Sequence, residues 1–292
     1  NGYNLTIGFG TTINFTDSAC IIVNGGSFIC GDVAQPTHDR NIIFKGVTGN
    51  NWSGLSFNNC NLVNINSAQF QNVKGDAVNT NYAVKMINCN TVNINNCTFT
   101  NADPQKSGAI EANFSGAGSG ETNFYIAGNT FNMNSSDKTI VSVIANAECS
   151  VPVMIDNNIF TSTSNSATAM YLSFVSGIEI GGNAIVGYNK GIEMHHSNID
   201  VIGNSITSTT GNNSAKGIDA GDLSAVNLTS TGTLRTGGLN IFDNAGENIN
   251  NIYVNDSYFY LDKGKNVFGV ISNSNSYHLK GYFPGDTVGN PI

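Results

Sequence analysis

Charge is scarce in this chain. Only 11% of the 292 residues are charged, less than half of the ~25% typical of globular domains. Acidic residues outnumber basic ones by 20 to 12, and the only arginines are Arg40 and Arg235. A chain with a net charge of −8 repels a phosphate backbone, so we expect no binding to nucleic acid.

Long apolar runs are also missing. They stay as short as Ile42-Ile43-Phe44, whereas a membrane-spanning helix needs about 20 apolar residues. Residues 1–4 contain neither a basic segment nor an apolar one. We therefore expect no membrane span and no signal peptide in this sequence.

Proline and long charged side chains are rare, and Asn, Ser, Thr and Gly take their place. The chain has five prolines and 33 glycines. Small polar residues are poor in helix interiors but suit turns. Because 40% of the residues are hydrophobic and 16 are Phe, disorder is excluded. The composition predicts an all-β protein with many tight turns.

The six cysteines show no metal or redox motif. No Cys-x-x-Cys pair occurs, and no Cys/His spacing resembles a zinc site. We interpret them mainly as small buried apolar residues. Cys60 and Cys89 fall at matching positions of the repeat described next, which predicts neighbours on adjacent coils. Their spacing leaves open whether a disulfide joins them.

A short unit recurs along the chain. Val63-Asn64-Ile65-Asn66-Ser67-Ala68-Gln69-Phe70 is followed by Val92-Asn93-Ile94-Asn95-Asn96-Cys97-Thr98-Phe99. In six such units an aliphatic residue lies five positions before a closing apolar residue. The closing residues are Phe70, Phe99, Phe131, Phe160, Ile185 and Ile206. Apolar residues alternate with period two, which is typical of half-buried strands.

These units predict the coils of a right-handed parallel β-helix with three short strands per coil and Asn-rich turns. Four units carry Asn two residues before the closing position. We expect the Asn side chains to stack and to hydrogen-bond from coil to coil. We also expect these residues to adopt the left-handed backbone of a tight turn, which Asn tolerates. They are Asn129, Asn158, Asn183 and Asn204.

A third strand precedes each unit. It has two inward apolar residues around one outward residue, as in Ile192-Glu193-Met194. The predicted outward column is Ser56, Lys85, Glu111, Ser142, Tyr171, Glu193 and Asp219.

The sequence predicts one domain over 1–292. Residues 1–50 form N-terminal coils or a cap, 51–238 the regular coils, and 239–292 looser C-terminal coils. No change of composition indicates a linker.

The repeat resembles that of the pectin-lyase-like right-handed β-helix proteins. More narrowly, the chain is similar to secreted β-helix proteins of Bacteroidetes-type bacteria that the type IX secretion system exports. The residues that carry this resemblance are Leu5 to Phe15, Ile22-Val23-Asn24-Gly25, Ile42-Ile43-Phe44, Trp52 to Phe57 and Leu261 to Phe268. The resemblance implies an extracellular or cell-surface location and a place within a longer secreted chain.

The scarce charges gather around two neighbouring predicted strands. Glu193 and Asp219 occupy equivalent outward slots, which the enzymes of this fold use for their active sites. Strands in register lie ~4.8 Å apart, and a retaining glycosidase has its two carboxyl groups ~5–5.5 Å apart. Glu193 and Asp219 are therefore the candidate catalytic pair. The simpler alternative is that Lys190 and Lys216 neutralise them.

Five further residues are candidates for ligand binding because they flank or share this column. They are Glu111, Tyr171, His195, His196 and Asp222. Glu111 beside Lys85 is also expected to form a surface ion pair. No cofactor is expected, although Asp219 and Asp222 could hold calcium.

Exposed aromatic rings are a second candidate feature because sugars stack on them. The candidates are Trp52, Tyr82, Tyr125, Tyr171 and Tyr188, with Trp52 favoured as a buried structural residue.

Three functions follow from the sequence. The first is a surface-exposed scaffold that binds carbohydrate or forms part of an adhesin. The second is a polysaccharide hydrolase or lyase. The third is a spacer without a ligand, in a larger surface protein.

Overall fold

A computed structural model describes residues 3–31, 41–47, 52–73, 82–100, 108–114, 123–133, 139–164, 166–207, 215–221, 224–228, 241–243, 250–254, 258–261, 267–268 and 279–280. For residues 147–149 and 151, and from 225 onward, it describes the backbone only. Within these ranges all regular secondary-structure elements are strands. The described residues therefore contain no helix that is long and apolar enough to cross a membrane.

The strands are numbered in chain order. They are β1 (Asn4–Ile7), β2 (Thr12–Phe15), β3 (Ile21–Asn24), β4 (Ser27–Cys30), β5 (Ile42–Gly46), β6 (Leu55–Asn58), β7 (Leu62–Asn66), β8 (Ala68–Gln71), β9 (Tyr82–Ile87), β10 (Thr91–Asn95), β11 (Thr98–Thr100), β12 (Gly108–Phe114), β13 (Asn123–Ala127), β14 (Thr130–Asn132), β15 (Val141–Asp156), β16 (Ile159–Thr161), β17 (Thr168–Gly181), β18 (Ala184–Val186), β19 (Lys190–His195), β20 (Asn198–Ile202), β21 (Ser205–Thr207), β22 (Lys216–Gly221), β23 (Ala225–Leu228), β24 (Ile241–Asp243), β25 (Asn250–Val254), β26 (Tyr258–Leu261), β27 (Val267–Phe268) and β28 (Leu279–Lys280).

All pairings are parallel and form three ladders. The first ladder runs β1-β4-β7-β10-β13-β15-β17-β20-β23-β26. The second runs β3-β6-β9-β12-β15-β17-β19-β22-β25-β28. The third runs β2-β5-β8-β11-β14-β16-β18-β21-β24-β27. The predicted fold, a right-handed parallel β-helix with three strands per coil, is confirmed. The right hand agrees with the general rule that connections between parallel strands are right-handed in about 98% of cases.

Two strands are longer than the sequence predicts. β15 and β17 each pass through a corner of the coil and take part in both the first and the second ladder. They remain paired around that corner, through Cys149 opposite Val175 and Ser150 opposite Ser176, with register shifts on both sides. Continued pairing through the corner joins what the repeat predicts as two strands.

The interior is built from stacked columns of like residues. All six predicted closing residues are at most 2% exposed. The rings of Phe70, Phe99, Phe131 and Phe160 stack with centroid separations of 4.7, 5.0 and 4.6 Å, and the column continues through Ile185 and Ile206. The predicted core is therefore confirmed.

The asparagine column is also confirmed. The backbone and side-chain N–H groups of Asn129 donate to Asn158 Oδ1 at 2.9 and 3.0 Å. Asn158 donates in the same way to Asn183, and Asn183 to Asn204. Each amide also donates to a carbonyl of the preceding coil, such as Ile126 for Asn158.

The prediction that these asparagines adopt the left-handed backbone is wrong by one residue. Positive φ falls on the residue before each of them, for example 65° at Gly128 and 53° at Asn157. The sharp turn is therefore made one position earlier, which leaves the column Asn free to bond along the axis.

Cys60 and Cys89 are neighbours on adjacent coils, as predicted. The Cys89 thiol hydrogen-bonds to the Cys60 sulfur, and this bond, followed by burial, raises the pKa of Cys89. The same bond lowers the pKa of Cys60 against the opposing effect of burial. Both are free thiols here, and both are buried. Burial likewise raises the pKa of Cys97 to about 12, so these cysteines behave as buried apolar groups.

Candidate functional site

The outward column of the second ladder has the predicted register. Ser56, Lys85, Glu111, Ser142, Tyr171, Glu193 and Asp219 are consecutive pairing partners. The inward residues on either side, such as Ile192 and Met194, are fully buried. Period-two alternation therefore places six half-buried side chains on one face of the solenoid, and Ser142 is the exception.

Ser142 is only 2% exposed although it occupies an outward slot. The Tyr82 ring crosses over Gly108, where a Cβ would collide with it, and its hydroxyl hydrogen-bonds to Ser142. Burial, followed by the charge of Glu111, raises the pKa of Tyr82. Tyr82 therefore divides the column into a Lys85–Glu111 end and a Tyr171–Asp219 end.

Two adjacent coils carry the same four-residue pattern, Lys-Gly-Ile-acid, as Lys190 to Glu193 and Lys216 to Asp219. In register, lysine lies beside lysine and acid beside acid. The glycine allows the close stacking, because a Cβ on Gly191 would lie 2.6 Å from the Gly217 carbonyl oxygen. This repeat is the sequence signal for the ionic network described next.

Lys190 bridges the two candidate catalytic carboxylates. Its Nζ lies 2.6 Å from Glu193 Oε1 and 2.9 Å from Asp219 Oδ2. Lys216 Nζ lies 2.9 Å from the other oxygen, Asp219 Oδ1. Desolvation opposes the charge on Lys190, but the hydrogen bonds to Glu193 and Asp219 outweigh it and raise its pKa. The structure therefore shows the alternative from the sequence, in which Lys190 and Lys216 neutralise Glu193 and Asp219.

His195 belongs to this cluster, whereas His196 does not. His195 Nε2 lies 3.7 Å from Glu193 Oε1, and its ring centroid is 5.7 Å from that of Tyr171. His196 has a φ of 46° at the next corner of the coil. There its ring stacks on Phe174, with centroids 4.5 Å apart and planes 17° apart.

The Phe174–His196 pair was missed in the sequence. Its signal is a bulky residue in the corner slot that Asn59 and Asn88 occupy in earlier coils. A non-glycine residue at positive φ is uncommon, above all a bulky one, and Phe174 at 57° is such a case. The pair adds a second aromatic surface beside the Tyr171–His195 contact.

Glu111 shares the column but lies apart from the Glu193 cluster, beyond Ser142. Its carboxylate pairs with Lys85 at 2.9 Å, as predicted. Asp222 lies outside the described residues, so its ligand role stays a prediction.

The predicted aromatic candidates divide into buried and accessible rings. Tyr82 and Tyr188 are at most 6% exposed, so the prediction that they are exposed sugar-stacking residues is wrong. Trp52 is fully buried, which agrees with the structural role that the sequence favours. Tyr125 and Tyr171 are half-buried. Tyr125 lies on the first ladder, so Tyr171 is the accessible tyrosine among the second-ladder residues whose side chains are described.

Among the described residues, no group of three or more His, Cys, Asp or Glu side chains is arranged to hold a metal ion. Both Asp219 oxygens face lysine ammonium groups. Calcium binding by Asp219 with Asp222 stays an untested expectation.

The site combines an aromatic face with a compact set of charged hydrogen-bonding groups. The carboxylates can accept several hydrogen bonds each, and the ammonium groups can donate several. Because Lys190 contacts an oxygen of each acid and Lys216 contacts the other oxygen of Asp219, these charged groups are held in place and can bind hydroxyl groups.

Comparison with known proteins gives two kinds of solved structure. No family model and no curated protein matches the chain. The chain is similar to bacteriophage CBA120 tailspike protein 3, with a TM-score of 0.26 and 13% identity over 98% of this chain and 53% of that chain. It is also similar to the catalytic domain of a GH87 alpha-1,3-glucanase in complex with nigerose, with a TM-score of 0.22 and 10% identity over 95% of this chain and 63% of that chain. The chain thus spans less than two thirds of either protein, and this degree of likeness assigns it no function.

Proposed function

We propose that this β-helix is a carbohydrate-binding scaffold whose glycan contacts Tyr171, Glu193, His195 and Asp219. The observation that carries the proposal is the contact of the half-buried Tyr171 ring with His195, directly beside the Lys190-bridged carboxylates. Sugar recognition needs an apolar ring face together with nearby polar groups. The described second-ladder column brings both together at this place.

The ionic network supports binding because its groups are already ordered. Lys190 and Lys216 hold Asp219 through both of its oxygens, and Lys190 also holds Glu193. Groups that are fixed before the ligand arrives lose less entropy on binding. Glu193, His195 and Asp219 are all partly exposed.

The second candidate function is a glycoside hydrolase or lyase that uses Glu193 and Asp219. Their positions on paired strands favour it, since strands ~4.8 Å apart suit the carboxylate spacing of a retaining enzyme. The bridge from Lys190 disfavours it, because a general acid donates to the substrate from a carboxyl oxygen, and Lys190 already contacts an oxygen of each acid. Binding is therefore the preferred proposal.

The proposed setting is outside the cell. The resemblance to pectin-lyase-like proteins of bacterial surfaces, with export by type IX secretion, supports this location and a role within a longer secreted or adhesive chain. A spacer without any ligand is the outcome if the binding test fails.

The test compares Tyr171→Ala with Tyr125→Ala on a glycan array and by titration of any glycan that is retained. Both tyrosines are half-buried and outward, but they lie on different ladders. We expect Tyr171→Ala to weaken binding about tenfold or more, as loss of ~1.4 kcal/mol would, and Tyr125→Ala to leave it unchanged. Equal losses, or no retained glycan for the unmodified chain, would refute the proposal.

Release of reducing sugars from a panel of polysaccharides tests the second candidate function, a hydrolase or lyase. Release that disappears in Glu193→Gln would establish catalysis in place of simple binding. Retention without release in the unmodified chain would establish the binder.

A further inference from the structure

The third ladder presents an outward face unlike that of the other two. Over β8, β11, β14, β16, β18 and β21, each strand has one inward residue between two outward ones. The twelve outward residues, which we call the third-ladder face, are Gln69, Gln71, Thr98, Thr100, Thr130, Asn132, Ile159, Thr161, Ala184, Val186, Ser205 and Thr207. Not one of these twelve residues is charged or aromatic.

This face is regular in two directions. Successive strands pair in register without a shift from β8 to β21, whereas β15 and β17 of the other ladders carry register shifts. Strands in register repeat every ~4.8 Å, and the two outward residues of one strand lie ~6.6 Å apart. Beneath them the rings of Phe70, Phe99, Phe131 and Phe160 stack at 4.7, 5.0 and 4.6 Å.

The side chains of this face are open to solvent. Thr100, Asn132 and Thr161 are exposed, and Ile159 and Val186 are 49% and 44% exposed. Within the described part of the chain, the hydroxyls of Thr98, Thr100, Thr130 and Thr161 have no hydrogen-bonding partner. These hydroxyls are therefore available to bind water.

The composition of this face disfavours the usual partners. Without a basic residue it cannot attract a phosphate backbone. Without an aromatic ring it offers no stacking platform for a sugar. The centres of protein interfaces are rich in aromatic residues, Met and Arg, and this set contains none of these.

We propose that the third-ladder face binds ice. Seven of its twelve residues are β-branched, so their χ1 angles are restricted and their methyl and hydroxyl groups hold fixed positions. A rigid grid of methyl and hydroxyl groups can order water into a lattice, and its two repeats are close to those of oxygen atoms in a plane of hexagonal ice. None of the twelve residues is charged, so strongly hydrated groups lie at the two ends of the face, where Lys45 pairs with Gln71 and Asp243 pairs with Thr207.

The experiment measures thermal hysteresis, the gap between melting and freezing points, and the shape of single ice crystals in the presence of the full chain. The test variant is Thr130→Tyr, which places a bulky ring near the centre of the face. The matched control is Thr91→Tyr, because Thr91 is likewise a half-buried outward threonine but lies in β10 of the first ladder. Circular dichroism and melting curves verify that each variant folds, and Thr161→Tyr replaces Thr130→Tyr if the latter does not.

We expect a measurable hysteresis gap and faceted crystals for the unmodified chain. Thr130→Tyr should lose most of the gap, and Thr91→Tyr should keep it. The proposal is overturned if the unmodified chain shows no more hysteresis than serum albumin, or if both variants lose the gap equally. It is also overturned if sedimentation shows a dimer that Thr130→Tyr dissociates, since the face would then be a contact between copies of this chain.

Discussion

The interior columns and the outward column of the second ladder are made by the same coils but follow different rules. Inside, Phe stacks on Phe and Asn bonds to Asn through several successive coils. Outside, the same step along the axis leads from Lys85 to Glu111, then past Ser142 to Tyr171.

The difference reflects what each position contacts. An inward residue meets a copy of its own environment above and below, so one shape satisfies every coil. An outward residue meets solvent, and stacking places few demands on its identity. Variation in the outward column is therefore free to serve a ligand, and substitutions should separate the two kinds of position by their effect on stability.

The largest loss is expected for Phe131→Ala. Its ring is fully buried between Phe99 and Phe160, at 5.0 and 4.6 Å, and a cavity left in a packed core costs about 3–5 kcal/mol. Urea denaturation measures the free energy of unfolding, with Thr100→Ala on the adjacent strand as the exposed control. A loss below about 1 kcal/mol would mean that the stacked column does not hold the coils together.

A somewhat smaller loss is expected for Asn158→Ala. Removal of its amide leaves the Asn129 donors and the Ile126 carbonyl without this partner. Asn183 Oδ1 loses the side-chain donor but keeps the backbone N–H of residue 158. Each unsatisfied buried group costs about 1–3 kcal/mol, but water entering the space can replace part of the loss, so we expect about 2–4 kcal/mol in total. Denaturation of Asn157→Gly, one residue earlier and exposed, is the comparison, because glycine suits the positive φ of that position. Equal losses would contradict a special role of the column.

These two columns could be predicted from the sequence because both repeat. In each of the four units that carry it, the column asparagine lies two residues before the closing residue. The period-two alternation of the strand then determines which neighbouring residues face outward. The left-handed residue at each turn could not be separated from the Asn that follows it, since Asn and Gly tolerate both conformations.

The candidate site could be predicted less completely because it depends on side-chain directions. Glu193, Asp219 and Tyr171 follow from register alone. The rotamer of Lys190 determines that its ammonium group contacts carboxylates on its own coil and on the next. The backbone at the corner of the coil determines that the His196 side chain points away from His195. The crossing of Tyr82 over Gly108 to Ser142 joins residues from three coils, which no local pattern records.

An intermediate and pH-dependent effect is expected at Lys190. Hydrogen bonds to charged groups contribute about 1.5–3 kcal/mol when buried, and partial exposure reduces this, so Lys190→Met should lose about 1–2 kcal/mol at pH 8. The folded pKa of Lys190 is raised above its ordinary value of 10.5. Its contribution is therefore complete below the unfolded pKa and is lost as the pH rises through the folded pKa.

Denaturation of the unmodified chain and Lys190→Met between pH 8 and the alkaline limit measures this difference. Tyr82 and Tyr188 also have raised pKa values, mainly through burial, so both chains should lose stability at alkaline pH. The diagnostic quantity is the gap between the two chains, which should close as the pH rises. A gap that stays constant would mean that Lys190 acts through packing of its stem and not through its charge.

The smallest effect is expected for the Lys85–Glu111 pair, which shares the outward column but lies beyond Ser142 from the Glu193 cluster. The two side chains are 25% and 14% exposed and 2.9 Å apart, and exposed pairs typically contribute about 0.2–1 kcal/mol. A double-mutant cycle of Lys85→Met and Glu111→Gln isolates the pairwise term. Because a partly screened pair weakens further in salt, the coupling should fall between low and high ionic strength. A coupling as large as the loss in Asn158→Ala would show that this outward pair stabilises the coils as strongly as the interior does, and the distinction between inside and outside would then fail at this position.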